Sequence, residues 1–241
     1  MLGKIKNILK SLSITPLHPQ WLCRGASKHL IRTLKRIDAN GVVLDIGCFN
    51  KWPKDVIPKS CTYIGLDYLE TAQNWYHSRP DIYGDACRLP IQSGCIDIVL
   101  LLDVLEHLQC TTAALKEIHR CLTGRGMLII QAPFMYPLHD EPRDFLRLTK
   151  YGFEHLANEC GFDVEAIHSV GHPIETSVLL FDIALAKVAI NWIKSKSPAS
   201  LFIILLPLWI IINNLLARVL VWICQEDSMM PYSYEIILSK K

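Results

Sequence analysis

Apolar positions along this chain fall into short unbroken runs separated by amphipathic stretches. Residues 42–46 (VVLDI), 62–67 (TYIGLD), 96–102 (IDIVLLL) and 127–133 (MLIIQAP) are nearly continuous, as expected for strands buried on both faces of a parallel sheet. Between them, residues 26–37 repeat Leu30, Ile31, Leu34 and Ile37 at helical spacing, and residues 115–122 continue as a second amphipathic helix. A short third strand is expected at 81–84, and a helix carrying Glu106 and His107 after Asp103. A GRG turn at 124–126, a helix at 150–160 capped by Thr149, a sixth strand at 162–168 and a last strand within 233–241 follow. Strands alternating with helices imply right-handed crossovers and an α/β, doubly wound, mostly parallel sheet of seven strands.

Two apolar stretches, 178–193 and 201–224, interrupt this pattern before the last strand. The second is nominally long enough to cross a bilayer, at about 1.5 Å per helical residue against about 30 Å of hydrocarbon. If the last strand rejoins the sheet, either both stretches cross or neither does. Asp182 and Lys187 make the first costly to insert, and Pro207, Asn213, Asn214 and Arg218 weaken the second. Helices embedded in one leaflet or lying on its surface are therefore expected; a lid or dimer interface is the soluble alternative. Residues 1–12 also alternate basic and apolar positions at helical spacing, suited to an anionic bilayer surface and lacking the continuous apolar core of a cleavable signal peptide.

Charge sharpens this division. The 241-residue chain has a formal net charge of +2, yet Lys4, Lys6, Lys10, Arg24, Lys28, Arg32, Lys35 and Arg36 all precede the first acid, Asp38. The expected organisation is a basic arm over 1–25, a core domain over 26–172 and 231–241, and an apolar helical insertion over 173–230. The nine cysteines form no C-x-x-C pair and have no companion histidines at metal spacing, so reduced thiols, a cytosolic setting and no metal are expected.

Candidate chemistry starts at GVVLDIGCFN, residues 41–50, where a strand ends in Asp45 followed by Gly47. Ligands of open α/β sheets sit beyond the carboxyl ends of strands, and a glycine there admits close backbone approach. The G-x-G-x-x-G of a dinucleotide-binding oxidoreductase is absent. Asp67 ends the second strand at the interval where a nucleotide fold offers a carboxylate to ribose hydroxyls. Asp85 follows the third strand, in a context equally suited to an Asx turn.

The segment VLDIGC resembles the first motif of class I S-adenosylmethionine-dependent methyltransferases, which usually continues with two more glycines where this chain has Phe49 and Lys51. GDACRLP, DVLEHL and PLHDEPRDFLRLT resemble a branch of that family often associated with glycan, glycolipid and surface-polymer pathways, over roughly residues 30–171. The resemblance implies S-adenosylmethionine as cofactor, with Asp45, Gly47 and Cys48 at its methionine end, Asp67 at the ribose, and Asp85 with Ala86 at the adenine. It places Asp103 and His107 between cofactor and acceptor; the alternative is that Asp103 caps the next helix and His107 packs under a loop. His139 is the candidate general base, since a neutral imidazole can take a hydroxyl proton, or else it pins its loop together with Asp144 and Arg143 or Arg147.

The expected activity is methyl transfer, to oxygen, on a small-molecule, glycan or lipid-linked acceptor near a membrane. A degenerate domain that binds a membrane or partner without catalysis is the alternative. Without interleaved aromatic and basic residues to stack bases, no nucleic-acid partner is expected. The expected localisation is cytoplasmic, peripheral or monotopic at the membrane.

Overall fold

The structure is a computed structural model that describes residues 15–23, 27–38 and 40–241. The amphipathic helix expected over residues 1–12 lies outside them. Seven strands form one sheet: β1 (Val42–Ile46), β2 (Thr62–Asp67), β3 (Ile82–Tyr83), β4 (Ile96–Leu102), β5 (Leu122–Pro133), β6 (Phe162–Val170) and β7 (Ser233–Lys240). Their order is β3-β2-β1-β4-β5-β7-β6. β1 pairs in parallel with both β2 and β4, while β7 runs antiparallel to β5. The direction of winding reverses between β1 and β4, and the space beyond their carboxyl ends is where such a sheet accommodates a ligand.

Alternation within the buried strands builds a core on each face. Val43, Ile98, Leu100 and Ile129 pack with Leu30 and Leu34 of helix α1 (Lys28–Lys35). Leu44, Val99, Leu101, Leu128 and Ile130 pack on the other face with Ala114, Leu115 and Ile118 of α2 (Thr111–Cys121) and Phe153 of α3 (Lys150–Glu159). Ser27 Oγ caps α1 by accepting from Leu30 N–H at 3.0 Å. Thr149 caps α3 as expected, its hydroxyl accepting from Gly152 N–H at 3.2 Å. Thr149→Ala is expected to cost about 1 kcal/mol of stability, read as a lowered midpoint in chemical denaturation.

Two local expectations are corrected. Gly124 to Gly126 do not turn the chain but lie inside β5, where Leu122 pairs with Ile96 before the register shifts to Ile98 opposite Met127. A side chain at Gly126 would meet Leu122 Cβ at 2.8 Å, so the glycine serves this irregularity. Glu106 and His107 are carried by a single 3-10 turn, Leu105–His107, because Leu108 returns to extended backbone.

The chain packs as two units. The sheet and α1 to α3 belong to the larger one. The other includes α4 (Pro173–Lys194), a 3-10 stretch (Pro198–Leu205) and α5 (Leu206–Ile223), within residues 170–232. α4 starts at a reciprocal cap in which His172 Nδ1 accepts from Ile174 N–H at 3.2 Å and Glu175 Oε2 accepts from His172 N–H at 3.3 Å. α4 buries Glu175 and Asp182 as well as Leu179, and α5 buries Asn214 as well as Ile210 and Ala217. Asn213 Nδ2 donates to Asp182 Oδ1 at 2.7 Å, and Arg218 pairs with Glu175 at 2.7 Å. Asn214 donates to the carbonyls of Pro16 and His18 at 2.8 and 3.2 Å. Phe181, Phe202, Trp209, Ile212, Leu216 and Trp222 are exposed instead.

Candidate functional site

The loop after β1 is shaped by backbone that glycine would normally supply. Gly47 has φ of 73°, and Phe49 and Lys51 follow with φ of 37° and 56°. The two positions where the sequence departs from the glycine pattern thus keep the left-handed region that glycine favours. The Phe49 ring lies edge-on to Tyr76 at 5.2 Å and is 48% exposed, while Lys51 Nζ reaches Asp81 at 2.7 Å. Gly47 meets a constraint that the sequence hides: a Cβ there would fall 2.4 Å from Val104 Cγ2, so the residue is small for packing against the loop after β4. His77, Asp103 and Asp140, with φ of 51°, 55° and 49°, carry the same unfavourable backbone in the loops after β2, β4 and β5. Such strain, concentrated on one edge of the sheet, is typical of functional sites.

Asp45 and Asp67 are brought together at the ends of adjacent strands, both buried. Burial pushes the Asp45 carboxyl up to about 7; the hydrogen bond donated by Tyr63 opposes this, and the Asp67 charge adds to it. Asp67 accepts from Tyr68 N–H at 2.8 Å and, more loosely, from Thr71 Oγ1 and Ser78 Oγ at 3.3 Å each. Cys48 is buried, its thiol pushed up to about 12 by burial and then by Asp45, and it would contact a side chain at Gly65. Asp85 is exposed and accepts from Cys87 N–H at 2.8 Å in the Asx turn that its context allowed, and Ala86 is packed in the core.

Asp103 accepts from Gln131 Nε2 at 2.6 Å. Asp103 is exposed at its surface, yet protein crowds around it. That enclosure, followed by the nearby Glu106 charge, pushes its carboxyl up to about 7.

Beside it, the loop after β5 is bound on two sides. Phe145 N–H donates to Glu106 O at 2.8 Å, and His107 Nδ1 lies 2.5 Å from Arg143 O. Toward β2, Arg143 pairs with Glu70 at 2.6 Å, lies over the Tyr68 and Trp75 rings, and Tyr76 OH donates to Asp140 at 2.5 Å. The loop therefore bridges the elements flanking β1. Trp75 and Tyr76 belong to a π-helical turn, Thr71–Tyr76, a rare geometry enriched at functional sites.

Under this strap, Glu106 Oε1 lies 3.7 Å from His107 Nε2 and 3.6 Å from His139 Nε2. Asp144 Oδ2 lies 3.3 Å from His139 Nδ1 and accepts from His139 N–H at 3.0 Å. Burial works against ionisation of Asp144, but hydrogen bonds from Arg147 and His139 outweigh it and hold the carboxyl at about 2. The pinning role anticipated for His139 and Asp144 is thus present in the geometry. Glu106 was visible in the DVLEHL string, but nothing in its spacing distinguished it as a site residue.

Residues 44–130 match the family described as the methyltransferase domain. Over that stretch, about a third of the chain, the protein resembles methyltransferase domains. A probable S-adenosylmethionine-dependent methyltransferase of Mycolicibacterium smegmatis is 27% identical over 146 residues, 54% of this chain and 55% of that protein. One of Mycobacterium tuberculosis is 32% identical over 98 residues, 38% of this chain and 35% of its own. The chain therefore spans about half or less of these curated relatives. A phosphoethanolamine N-methyltransferase of Haemonchus contortus, solved with phosphomonomethylethanolamine and S-adenosylhomocysteine, superposes with a TM-score of 0.51 at 15% identity, over 97% of this chain and 59% of its own. The [4+2]-cyclase SpnF superposes with a TM-score of 0.53 at 14% identity, over 88% and 78%. These likenesses establish the methyltransferase fold, and a cyclase among them shows why chemistry must be argued from the site.

The curated relatives that the chain matches are named for dependence on S-adenosylmethionine. The residues present suit it, because two buried carboxylates at one strand edge favour a ligand carrying positive charge.

Proposed function

We propose that the protein transfers the methyl group of S-adenosylmethionine to an oxygen of an acceptor presented at a membrane surface, a small molecule, glycan or lipid-linked sugar. The observation that carries the reading is the β1 loop, whose left-handed Phe49 and Lys51 preserve the turn beside buried Asp45 and Asp67. Asp45 would hold the amino group at the methionine end, Asp67 the ribose hydroxyls, and Asp85 the adenine edge, with Gly47 and Cys48 shaping the turn and Ala86 packing beneath.

The bound cofactor supplies an electrophilic methyl group. The chain's own contribution is to align the acceptor oxygen with it, since correct placement alone removes much of such a barrier. The acceptor oxygen is placed at the Glu106, His107 and His139 cluster, which can take up the proton the oxygen loses; Asp103 lies between the two halves of the site. The basic arm and the apolar outward faces of α4 and α5 support an acceptor held at an anionic bilayer.

Calorimetric titration with S-adenosylmethionine tests the cofactor half. Asp45 must be ionised to pair with an ammonium group, yet burial raises it to about 7. Binding is therefore expected to release a proton below pH 7 and to tighten as pH rises through 7; Asp45→Asn should abolish this dependence. A heatless titration of folded protein would replace this reading with that of a degenerate binding domain.

A further inference from the structure

We infer that Glu106, His107 and His139 form a binding site for a first-row divalent cation of the zinc class, with a coordination position left to an oxygen ligand. The inference rests on, and deepens, the reading of this cluster as the acceptor site.

Glu106 is 1% exposed, and neither of its carboxylate oxygens has a hydrogen-bond partner among the described residues. A buried carboxylate left in that state costs several kcal/mol unless something cationic meets it. The two imidazole nitrogens that face it stand at 3.6 and 3.7 Å, beyond hydrogen-bond reach, and the three ligand atoms lie within 4.8 Å of one another. Tetrahedral ligands about 2.0 to 2.1 Å from zinc are about 3.4 Å apart, so two edges of the site are nearly formed. The third, between the two imidazoles, is within 4.8 Å and would need one ring to rotate to close; the rings meet edge-on at 74°, with centroids 5.0 Å apart.

Both histidines turn Nε2 toward Glu106 and Nδ1 toward an oxygen. A metal-bound imidazole characteristically gives its other ring N–H to a carbonyl or carboxylate, which fixes tautomer and ring direction. His107 Nδ1 meets the Arg143 carbonyl at 2.5 Å, and His139 Nδ1 meets Asp144 at 3.3 Å. Arg147 Nη2 lies 3.4 Å from the same Nδ1 and can only donate to it, so binding a cation through Nε2 requires the Nδ1 proton to turn to Asp144 and the Arg147 contact to give way.

Two imidazoles and a carboxylate suit zinc, cobalt or another first-row cation rather than magnesium or calcium, which prefer oxygen throughout. A coordinated imidazole cannot act as a base, so the cation takes over from His139 the task of acidifying a bound hydroxyl.

The test strips the full chain with chelator and titrates it with cobalt(II), read by visible absorption, with S-adenosylmethionine calorimetry on the same samples. Expected are the ligand-field bands of four-coordinate cobalt at a single equivalent, with no near-ultraviolet thiolate band from the cysteines. Asp144→Asn should weaken cobalt by about 10- to 100-fold, and Glu106→Gln or His139→Ala by more. The site is refuted if folded protein, checked by circular dichroism, shows no bands, shows thiolate bands, or binds equally well in both ligand variants. Cobalt bands without cofactor heat uphold the site and reject the methyltransferase reading; cofactor heat without cobalt bands does the reverse.

Discussion

Replacing Asp67 by alanine is expected to raise the dissociation constant for S-adenosylmethionine by about 100-fold or more, with the fold retained. An ionised carboxylate offers about four acceptor sites. In Asp67 one is well used by Tyr68 N–H at 2.8 Å, and two contacts at 3.3 Å, from Thr71 and Ser78, are weak. Capacity thus remains for the two ribose hydroxyls on the proposed reading. Hydrogen bonds to a charged acceptor contribute about 1.5 to 3 kcal/mol each, so losing both accounts for the expected change. Asp67→Asn is the sharper probe, because it keeps an oxygen for Tyr68 N–H and loses only charge and one acceptor; about 10-fold weakening is expected. Calorimetry gives both values, and a thermal melt of each variant separates local unfolding from loss of binding. A folded alanine variant within about threefold of the parent would remove Asp67 from the cofactor site, since one intact charged hydrogen bond alone exceeds that difference.

Why the strands were legible, and parts of the site were not, follows from what periodicity records. β1, β2 and β4 lie where the apolar-rich runs do, because a strand covered on both faces places its polar residues, here Asp45, Asp67 and Asp97, at or next to its ends. β3 is two residues shorter than its pattern implies, since a two-residue edge strand leaves almost no periodicity. Gly124 to Gly126 read as a turn because local chemistry cannot reveal that Leu122 pairs with Ile96 across a register shift. Phe49 and Lys51 looked like losses from a glycine motif, but a side chain does not report the φ its backbone adopts, and both remain left-handed. Glu106 and His139 meet only because Phe145 N–H and the Arg143 carbonyl tie the strap to the 3-10 turn. In both contacts the strap contributes a backbone group, which sequence leaves nearly silent.

Substituting Leu208, Trp209, Ile212 and Trp222 together by serine is expected to reduce partitioning onto phospholipid vesicles by more than about 100-fold. All four are exposed on α5, Trp222 at 84%. Asp182 and Asn213, two of the polar residues that argue against insertion, are paired with one another, although Asp182 Oδ2 and Asn214 Oδ1 keep no hydrogen-bond partner among the described residues, and the hairpin presents hydrocarbon outward. By length and composition both α4 and the 26-residue stretch Pro198–Ile223 could cross a membrane. β7 pairs with β5, however, so any crossing must be matched by a return. Burying a large apolar side chain contributes about 1.5 to 3 kcal/mol, and four side chains buried only halfway already exceed the expected loss. Flotation on neutral phosphatidylcholine vesicles at high salt isolates this contribution, because attraction between the basic arm and anionic lipid is then screened. If the parent protein fails to float and instead changes mass with concentration in light scattering, and the serine variant does not, these faces are buried in a second copy of the chain and the membrane reading falls.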